Sequence, residues 1–412
     1  MVHRYFTRAA TCARRRVGPL SPYVSSIADA LSESGYARST AADHLRLVGD
    51  LSQWLARRRL GAADLDERTS LEYLKHRRRR RVYSRGKSAI LKLLVDHLRQ
   101  QGVVGPRRLA TPRFPGERLA CDFEKYLTHE RALAPATRIN YLPFVRGFLG
   151  ERLGRRAVRP QNLTARNIHR FMLRLAPKLS PGRAKLMVTA LRSFFRFLLL
   201  RGDVRVDWAA CVPPVANWRL AELPKSMEPA DVERLLQGCN QRAITGQRDY
   251  TILLLLARLG LRACEIVALT LDDIDWEAGE ILVRGKGSQQ DRLPLPQDVG
   301  QAVASYLRAG RPRCASRHVF IRRQAPRRGF AGSMTVCTIV ARALARAGLS
   351  PARKGAHLLR HSLAVRMLRR GASLAQIGQI LRHRLPQSTE IYAKVDLDAL
   401  RSLAQPWPGG GR

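Results

Sequence analysis

Apolar residues along this chain recur at the three-to-four-residue interval of a helix far more often than they alternate at the two-residue interval of a strand. Leu45, Leu47, Val48, Leu51 and Leu55 follow Arg38-Ser39-Thr40, and Tyr141, Leu142, Val145, Phe148 and Leu149 follow Ala136-Thr137-Arg138. Each set predicts an amphipathic helix, and Thr40 and Thr137 are 97 residues apart. Leu65 precedes a helix with Leu71 and Leu74, and 98 residues on Leu163 precedes one with Ile168, Phe171 and Met172. Gly86-Lys87-Ser88 opens an apolar run over 90–98, and 96 residues on Gly182-Arg183-Ala184 opens one over 186–200. Three anchors at nearly constant offset predict a small helical module present twice, with a chance match of two amphipathic stretches as the alternative.

After about Pro224 the pattern becomes mixed. A helix is predicted from Pro229 on Val232, Leu235 and Leu236, and Tyr250 to Leu259 reads as a buried helix. Two short β-prone runs, 279–284 and 291–295, flank Gly285-Lys286-Gly287-Ser288 and predict a hairpin. Helices return over 336–347, 358–370 and 374–381. The last carries Leu374, Ile377, Ile380 and Leu381 on one face, with Ser373 placed to cap it.

Two Pro-rich stretches punctuate the pattern. One runs over 102–116 with Pro106, Pro112 and Pro115, and the other over 204–224 with Pro213 and Pro214. Proline removes a backbone donor and restricts its predecessor, so both read as linkers. The expected organisation is an N-terminal helical module (1–105), a second copy of it (116–205) and a C-terminal domain (224–405). The fold class is mainly α, with a small β-hairpin or sheet in an α+β C-terminal domain.

Composition adds a partner. The chain has 412 residues, 74 Lys plus Arg against 32 Asp plus Glu, a net charge of +42 and 45% hydrophobic residues. That apolar content supplies ordinary cores, which excludes a wholly disordered basic tail. Such a charge repels itself and is best tolerated on a polyanion, with nucleic acid first and an anionic membrane surface second. Ten of the basic residues are Lys and 64 are Arg; codon bias in a GC-rich genome would explain that ratio but not the shortage of acids. The longest apolar runs, near 198–200 and 252–257, fall far short of the roughly 20 residues a bilayer requires. Seven scattered cysteines form no C-x-x-C pair and no zinc spacing, and read as reduced packing residues of a cytoplasmic protein. The first twenty residues are Arg-rich, and no acid precedes Asp29. They read as a basic arm or an organellar presequence, since they lack a signal peptide's apolar core.

Two local features need sorting. The run Lys75-His76-Arg77-Arg78-Arg79-Arg80-Arg81 reads as a nucleic-acid contact or a solvated charge run. Gly86-Lys87-Ser88 matches the end of a phosphate-binding loop, but that loop needs glycine at position 81, which is Arg81.

The candidate chemistry lies in four strings. They are Leu259-Gly260-Leu261-Arg262-Ala263-Cys264-Glu265, the hairpin with Lys286, His357-Leu358-Leu359-Arg360-His361, and His383 with Tyr392. Singly, Arg262 reads as a surface arginine, Lys286 as a turn lysine and His361 as a packed histidine. Jointly they are harder to dismiss. His357, Arg360 and His361 at i, i+3 and i+4 share one helix face. The polar Arg384-Leu385-Pro386-Gln387-Ser388 loop has the length to fold Tyr392 back towards His383.

In this order the strings resemble the tyrosine recombinase (phage integrase) family. The resemblance covers about 224–404, and the second helical module looks like the family's core-binding domain. It implies a site-specific DNA recombinase or integrase, with DNA integration on a mobile element as one setting. Arg262, Lys286, His357, Arg360 and His383 match the catalytic residues, and Tyr392 matches the nucleophile that becomes joined to a 3′ phosphate. Two guanidiniums, Arg262 and Arg360, suit the non-bridging oxygens of a pentacoordinate phosphate. His383 would donate to the same oxygens, and His357 would accept the Tyr392 proton or donate at the phosphate. Lys286 would protonate the leaving 5′ oxygen. No ATP, metal or nicotinamide is implied. The implied partners are duplex DNA and further recombinase protomers, with no membrane, in a bacterial cytoplasm on the nucleoid.

Phosphate contacts are expected from Arg77, Arg78, Arg79, Arg80, Arg138, Arg183 and Lys185. Three positions need comment. Many family members have L-G-H where this chain has Leu381-Arg382-His383, so Arg382 would alter the local turn. Glu265 fits the family's acid, holding local structure or assisting directly, and His361 is expected to pack the helix or support the reacting groups from behind. The segment 395–401 is expected to form a short amphipathic helix of the kind that docks on a neighbouring protomer in relatives. A type IB topoisomerase-like relaxing enzyme and a catalytically silent DNA-binding accessory subunit are the competing readings.

Overall fold

The structure is a computed structural model and describes residues 18–79, 87–106, 115–153, 160–216, 223–285, 289–395 and 400–401. Arg80, Arg81, Gly86, Lys286 and most of the 395–401 tail helix therefore lie outside the described residues. The chain divides into two compact units, Met1–Arg107 with Leu223–Arg412, and Arg108–Glu222.

The N-terminal part of the first unit contains α1 (Val24–Glu33), α2 (Arg38–Arg57), α3 (Glu67–Arg79) and α4 (Lys87–Gln100). Leu45, Leu47, Val48, Leu51 and Leu55 of α2 all lie in one core, with Ile27, Leu31, Ile90 and Leu94 among their neighbours. The α3 face differs from expectation. Leu71 is 57% exposed, whereas Tyr73 is buried and packs on Trp54 with ring centroids 5.4 Å apart. An aromatic pair buries more apolar area than one leucine, so the helix turns its Ser70/Tyr73 face inward.

The second unit repeats the order among its described residues, with α5 (Pro115–His129), α6 (Pro135–Leu153), α7 (Ala165–Leu175) and α8 (Pro181–Leu200). Its core is aromatic: Phe148 meets Phe171 and Phe195 edge-on, each at 5.4 Å. The Pro-rich stretch read as a linker from Val204 places Val204, Ala209 and Val212 in this core before Pro213-Pro214 ends it.

The C-terminal part of the first unit contains α9 (Pro229–Gln237), α10 (Ile244–Arg258) and α11 (Ala263–Ala268). An antiparallel sheet follows in the order β1 (Ile274–Asp275), β2 (Glu280–Arg284), β3 (Gln290–Pro294), with Ile281 opposite Leu293. β1 has two residues, too few to leave an alternation in the sequence. Then come α12 (Gln297–Ser305), α13 (Ser333–Arg346), α14 (Ala356–Leu368) and α15 (Leu374–Ile380). Ser373 caps α15 through a reciprocal pair with Gln376, whose N–H it accepts at 3.2 Å. Of the four apolar residues on that helix face, Ile377 and Leu381 are buried and Ile380 is exposed.

The main core is built around Ile252–Leu256 of α10, and a smaller cluster gathers Leu363, Val365, Ile377, Leu381 and Tyr392. Two 3₁₀ turns, Pro386–Ser388 and Glu390–Val395, return Tyr392 to that cluster. Within the first unit, the Arg327 N–H donates to the Ser34 carbonyl at 2.8 Å. Cys239 is buried, but Cys264 is exposed on α11 and so is not a packing residue. Among the described residues, no helix is long and apolar enough to cross a membrane.

Candidate active site

The site begins where α10 ends. Gly260 adopts φ +59°, and a Cβ there would stand 2.7 Å from Leu381 Cδ2 and 3.0 Å from Leu363 Cδ2. Only glycine meets both demands, so the chain can reverse against α14 and deliver Arg262 as the residue that starts α11. The Arg262 N–H donates to Glu265 Oε2 at 2.8 Å, and its Nη1 donates to Glu265 Oε1 at 2.7 Å.

Arg360, on α14, is buried, and its guanidinium is seated on backbone. Nη1 donates to the Gly260 carbonyl and Nη2 to the Leu381 carbonyl. Arg262 Nη2 donates to the next carbonyl along, that of Arg382, at 3.1 Å. Two consecutive peptide groups after α15 thus hold the two arginines. Burial first, then the charges of Arg262 and Arg382, pull the Arg360 guanidinium down to about 10. It stays cationic at neutral pH.

Arg382 itself stands at φ +54° and extends its guanidinium back to Glu265, Nη2 to Oε2 at 2.8 Å. Glu265 is therefore a buried carboxylate shared by two arginines. Burial alone would raise it, but the Arg262 N–H and the charges of Arg382 and Arg262 outweigh that and hold it below the usual carboxylate range. The departure from L-G-H leaves the left-handed turn intact and adds a third guanidinium.

The imidazole touching the Tyr392 hydroxyl is that of His361, with Nδ1 and Oη 2.8 Å apart. Of the two roles expected for His357, taking the phenol's proton or donating at the phosphate, the first would need the place against Oη that His361 occupies here. On α14 the ring four residues further along faces the returning 3₁₀ turn, while His357, one helical turn earlier, is exposed. His357 and His361 have ring centroids 6.2 Å apart, and His383 lies parallel to Tyr392 at 6.5 Å. His383 Nδ1 and Thr389 Oγ1 are 2.7 Å apart, and Thr389 is buried.

Burial, followed by neighbouring positive and imidazole charge, pushes His361 and His383 down to about 4. His357 is lowered as well, by partial burial first and then by Arg360 and Arg262. Tyr392 is 1% exposed, and burial lifts its hydroxyl to about 12 against the pull of Arg360. At neutral pH the cluster is thus cationic arginines, neutral imidazoles and a protonated phenol.

At the sheet edge, Arg284 pairs with the buried Asp273 through Nη2 and Oδ1 at 2.7 Å, anchoring the C-terminal end of β2. Arg384 Nε donates to Gln289 Oε1 at 2.8 Å, tying the residue just before β3 to the residue after His383. Among the described residues, no group of three or more His, Cys, Asp and Glu is placed to hold a metal.

The surface arginines divide. Arg77 is committed, donating to Asp50 at 3.2 Å and to the Tyr73 hydroxyl at 3.1 Å. Arg138 donates to Thr128 at 2.6 Å. Arg78, Arg79, Arg183 and Lys185 are exposed, and Arg183 lies over the Phe144 ring at 5.3 Å.

Residues 225–398 match the model of the phage integrase family. A Sinorhizobium fredii protein named integrase/recombinase y4rA is 43% identical over 409 residues, covering 98% of this chain and 99% of its own. The tyrosine recombinase XerD of Mycobacterium tuberculosis is 31% identical over 313 residues, covering 71% of this chain and 97% of its own. Among solved structures, XerH recombinase bound to a palindromic difH substrate shares the fold at TM-score 0.54 and 19% identity, over 70% of this chain and 84% of its own. A lambda integrase dimer bound to a COC′ core site does so at TM-score 0.52 and 16% identity, over 80% and 91%.

Proposed function

We propose that this chain, which belongs to the phage integrase (tyrosine recombinase) family, cuts and rejoins duplex DNA through Tyr392. The observation that carries this assignment is the seating of Arg262 and Arg360 on neighbouring carbonyls beside a tyrosine already paired with an imidazole.

Each arginine has five N–H donors and spends only some of them on the protein, so both retain donors for the non-bridging oxygens. Those oxygens gather charge as the Tyr392 oxygen bonds to phosphorus, and fixed guanidiniums stabilise that charge without reorganising. His383, with Nδ1 committed to Thr389, presents Nε2 to the same phosphate, and His357 donates from the open side. The phenol's proton passes to His361, which is neutral and in contact with it. As the bond between phosphorus and the 5′ oxygen breaks, Lys286 supplies that oxygen with a proton. A 5′ hydroxyl from another strand reverses the step, because the phosphotyrosyl bond keeps the energy of the phosphodiester. Tyr392 is too buried to touch a duplex in this conformation, so the 3₁₀ segment around it shifts when DNA binds.

The reading extends to three domains, 1–105, 116–205 and 224–405, each contributing basic side chains to the duplex. Exposed Arg78, Arg79, Arg183 and Lys185 would track phosphates. The lambda integrase dimer bound to a core site supports assembly with further protomers on DNA, and the Tn1549 transposon integrase bound to circular intermediate DNA, alike in fold, supports mobile-element integration; work in the bacterial cytoplasm on the nucleoid extends the same reading.

The test uses a library of randomised duplexes, each carrying one nick so that cleavage is trapped. Protein-linked DNA is recovered under denaturing conditions and sequenced. Wild-type protein should yield a consensus, and Tyr392→Phe should bind DNA equally but yield no linked DNA. Linked DNA from Tyr392→Phe would place the nucleophile elsewhere. Relaxation of plasmids without exchange between two consensus sites would replace the recombinase with a relaxing enzyme.

A further inference from the structure

We propose that Arg382 is a positioning residue of the cleavage step: by sharing the Glu265 carboxylate with Arg262, it fixes the Arg262 guanidinium towards the scissile phosphate. This rests on the recombinase reading above. It assigns a role to a residue that the L-G-H pattern leaves out.

The backbone supplies the first argument. Arg382 sits at φ +54°, its N–H donating to the Gln379 carbonyl and the His383 N–H donating to the Gly378 carbonyl, both at 2.9 Å. This is the left-handed residue that ends a helix, a position glycine takes freely and any residue with a Cβ takes at a cost. Backbone preference alone favours glycine at this position, so the case for the arginine rests on what its side chain does.

Its side chain shows what that is. It is 5% exposed, in a chain whose arginines are mostly at the surface. Burying a guanidinium is unfavourable unless it is paired. Nη2 donates to Glu265 Oε2 at 2.8 Å and Nη1 to the Ile380 carbonyl at 3.2 Å, while Nε is buried without a partner. Glu265, 1% exposed, receives the Arg262 N–H on that same Oε2 and Arg262 Nη1 on Oε1. The carboxylate is thus gripped from two elements and cannot rotate, and that sets the angle of the Arg262 fork.

Arg382 holds Arg262 twice, directly through its own carbonyl and indirectly through Glu265. A glycine would keep the first hold and lose the second. Charge points the same way. Three guanidiniums and one carboxylate leave two excess positive charges, matching the two negative charges on a phosphodiester to which a phenolate is adding.

The experiment measures single-turnover cleavage at saturating DNA, using the nicked consensus duplex, for wild type, Arg382→Gly, Arg382→Lys, Glu265→Gln and the Glu265→Gln/Arg382→Gly pair. DNA affinity is measured alongside. Arg382→Gly suits the backbone and should fold; it is expected to slow cleavage at least tenfold with the Kd changed less than twofold. Arg382→Lys restores the charge without the fork and should recover part of the loss. The double variant should be within twofold of Glu265→Gln alone, because Arg382 acts through that carboxylate. Wild-type cleavage by Arg382→Gly, or losses that multiply in the double variant, would overturn the proposal. If Arg382→Gly does not fold, wild-type cleavage by Arg382→Lys overturns it instead. Failure of the wild-type protein itself to link to DNA would overturn the recombinase reading, and so is separate from failure of the variants.

Discussion

Replacing Gly260 with alanine strikes both seats of Arg360 at once. The added Cβ meets Leu381 Cδ2 at 2.7 Å and Leu363 Cδ2 at 3.0 Å, and both leucines are buried, so neither has room to withdraw. Forcing an L-residue into the left-handed region costs about 1–2 kcal/mol. Overpacking the core adds about 1–3 kcal/mol. Lower chain entropy in the unfolded state returns about 0.4–1 kcal/mol. The net loss is about 2–4 kcal/mol, a fall in Tm of roughly 5–15 °C for a domain of this size. Because the displaced groups adjoin the two carbonyls that hold Arg360, cleavage should fall by about 100-fold, the scale of a misplaced reacting group. Gly279→Ala is the matched control. It has a similar φ of +63° but nothing within 4 Å of the new Cβ, so it should show the backbone cost alone, about 1 kcal/mol, and cleave normally. Thermal melts and single-turnover cleavage of both variants decide the matter. Equal destabilisation by the two substitutions, or normal cleavage by Gly260→Ala, would refute the reasoning.

Acid should weaken the fold earlier than its carboxylates would dictate. His361 and His383 titrate near 4 in the folded chain, held down mainly by burial, against 6.5 unfolded. The unfolded state therefore takes up protons first, and stability present above pH 6.5 is lost as pH falls towards 4. Denaturant midpoints across that range should decline, and His383→Gln should reduce the slope by about one proton. Glu265 acts in a lower window, its depressed carboxyl costing stability only as pH drops below the ordinary carboxylate range. In DNA binding, Arg78→Ser with Arg79→Ser should reduce the slope of log affinity against log salt by about 2. Arg77→Ser should leave that slope alone and lower the Tm, since Asp50 and Tyr73 lose their partner; salt titrations and melts separate the two.

What was legible in the sequence followed from periodicity and from motif order. The apolar spacing of α2 and α6 marked their buried faces, and Ser373 marked the start of α15, because both are local properties. The strings around Arg262, Arg360, His383 and Tyr392 are brought together in space, though they are separated by up to 130 residues. What escaped depended on tertiary competition. Spacing could not rank Tyr73 above Leu71, since the choice was made by Trp54 on another helix. Arg77 looked like its neighbours until Asp50, twenty-seven residues earlier, proved to hold it. His361 stands next to Arg360 in sequence and reads as packing, and only the turn that returns Tyr392 reveals its contact. One signal for Arg382 was available: a bulky residue where a turn favours glycine calls for a compensating contact.

The seating of Arg360 and Arg262 on the carbonyls of Leu381 and Arg382 works as a ruler. Successive α-carbons along a chain are 3.8 Å apart, so two carbonyls on adjoining peptides give the arginines a short baseline of one peptide unit, whose direction the φ of +54° at Arg382 helps to set. Inserting or deleting one residue between Leu381 and His383 would reset that baseline by a full peptide unit.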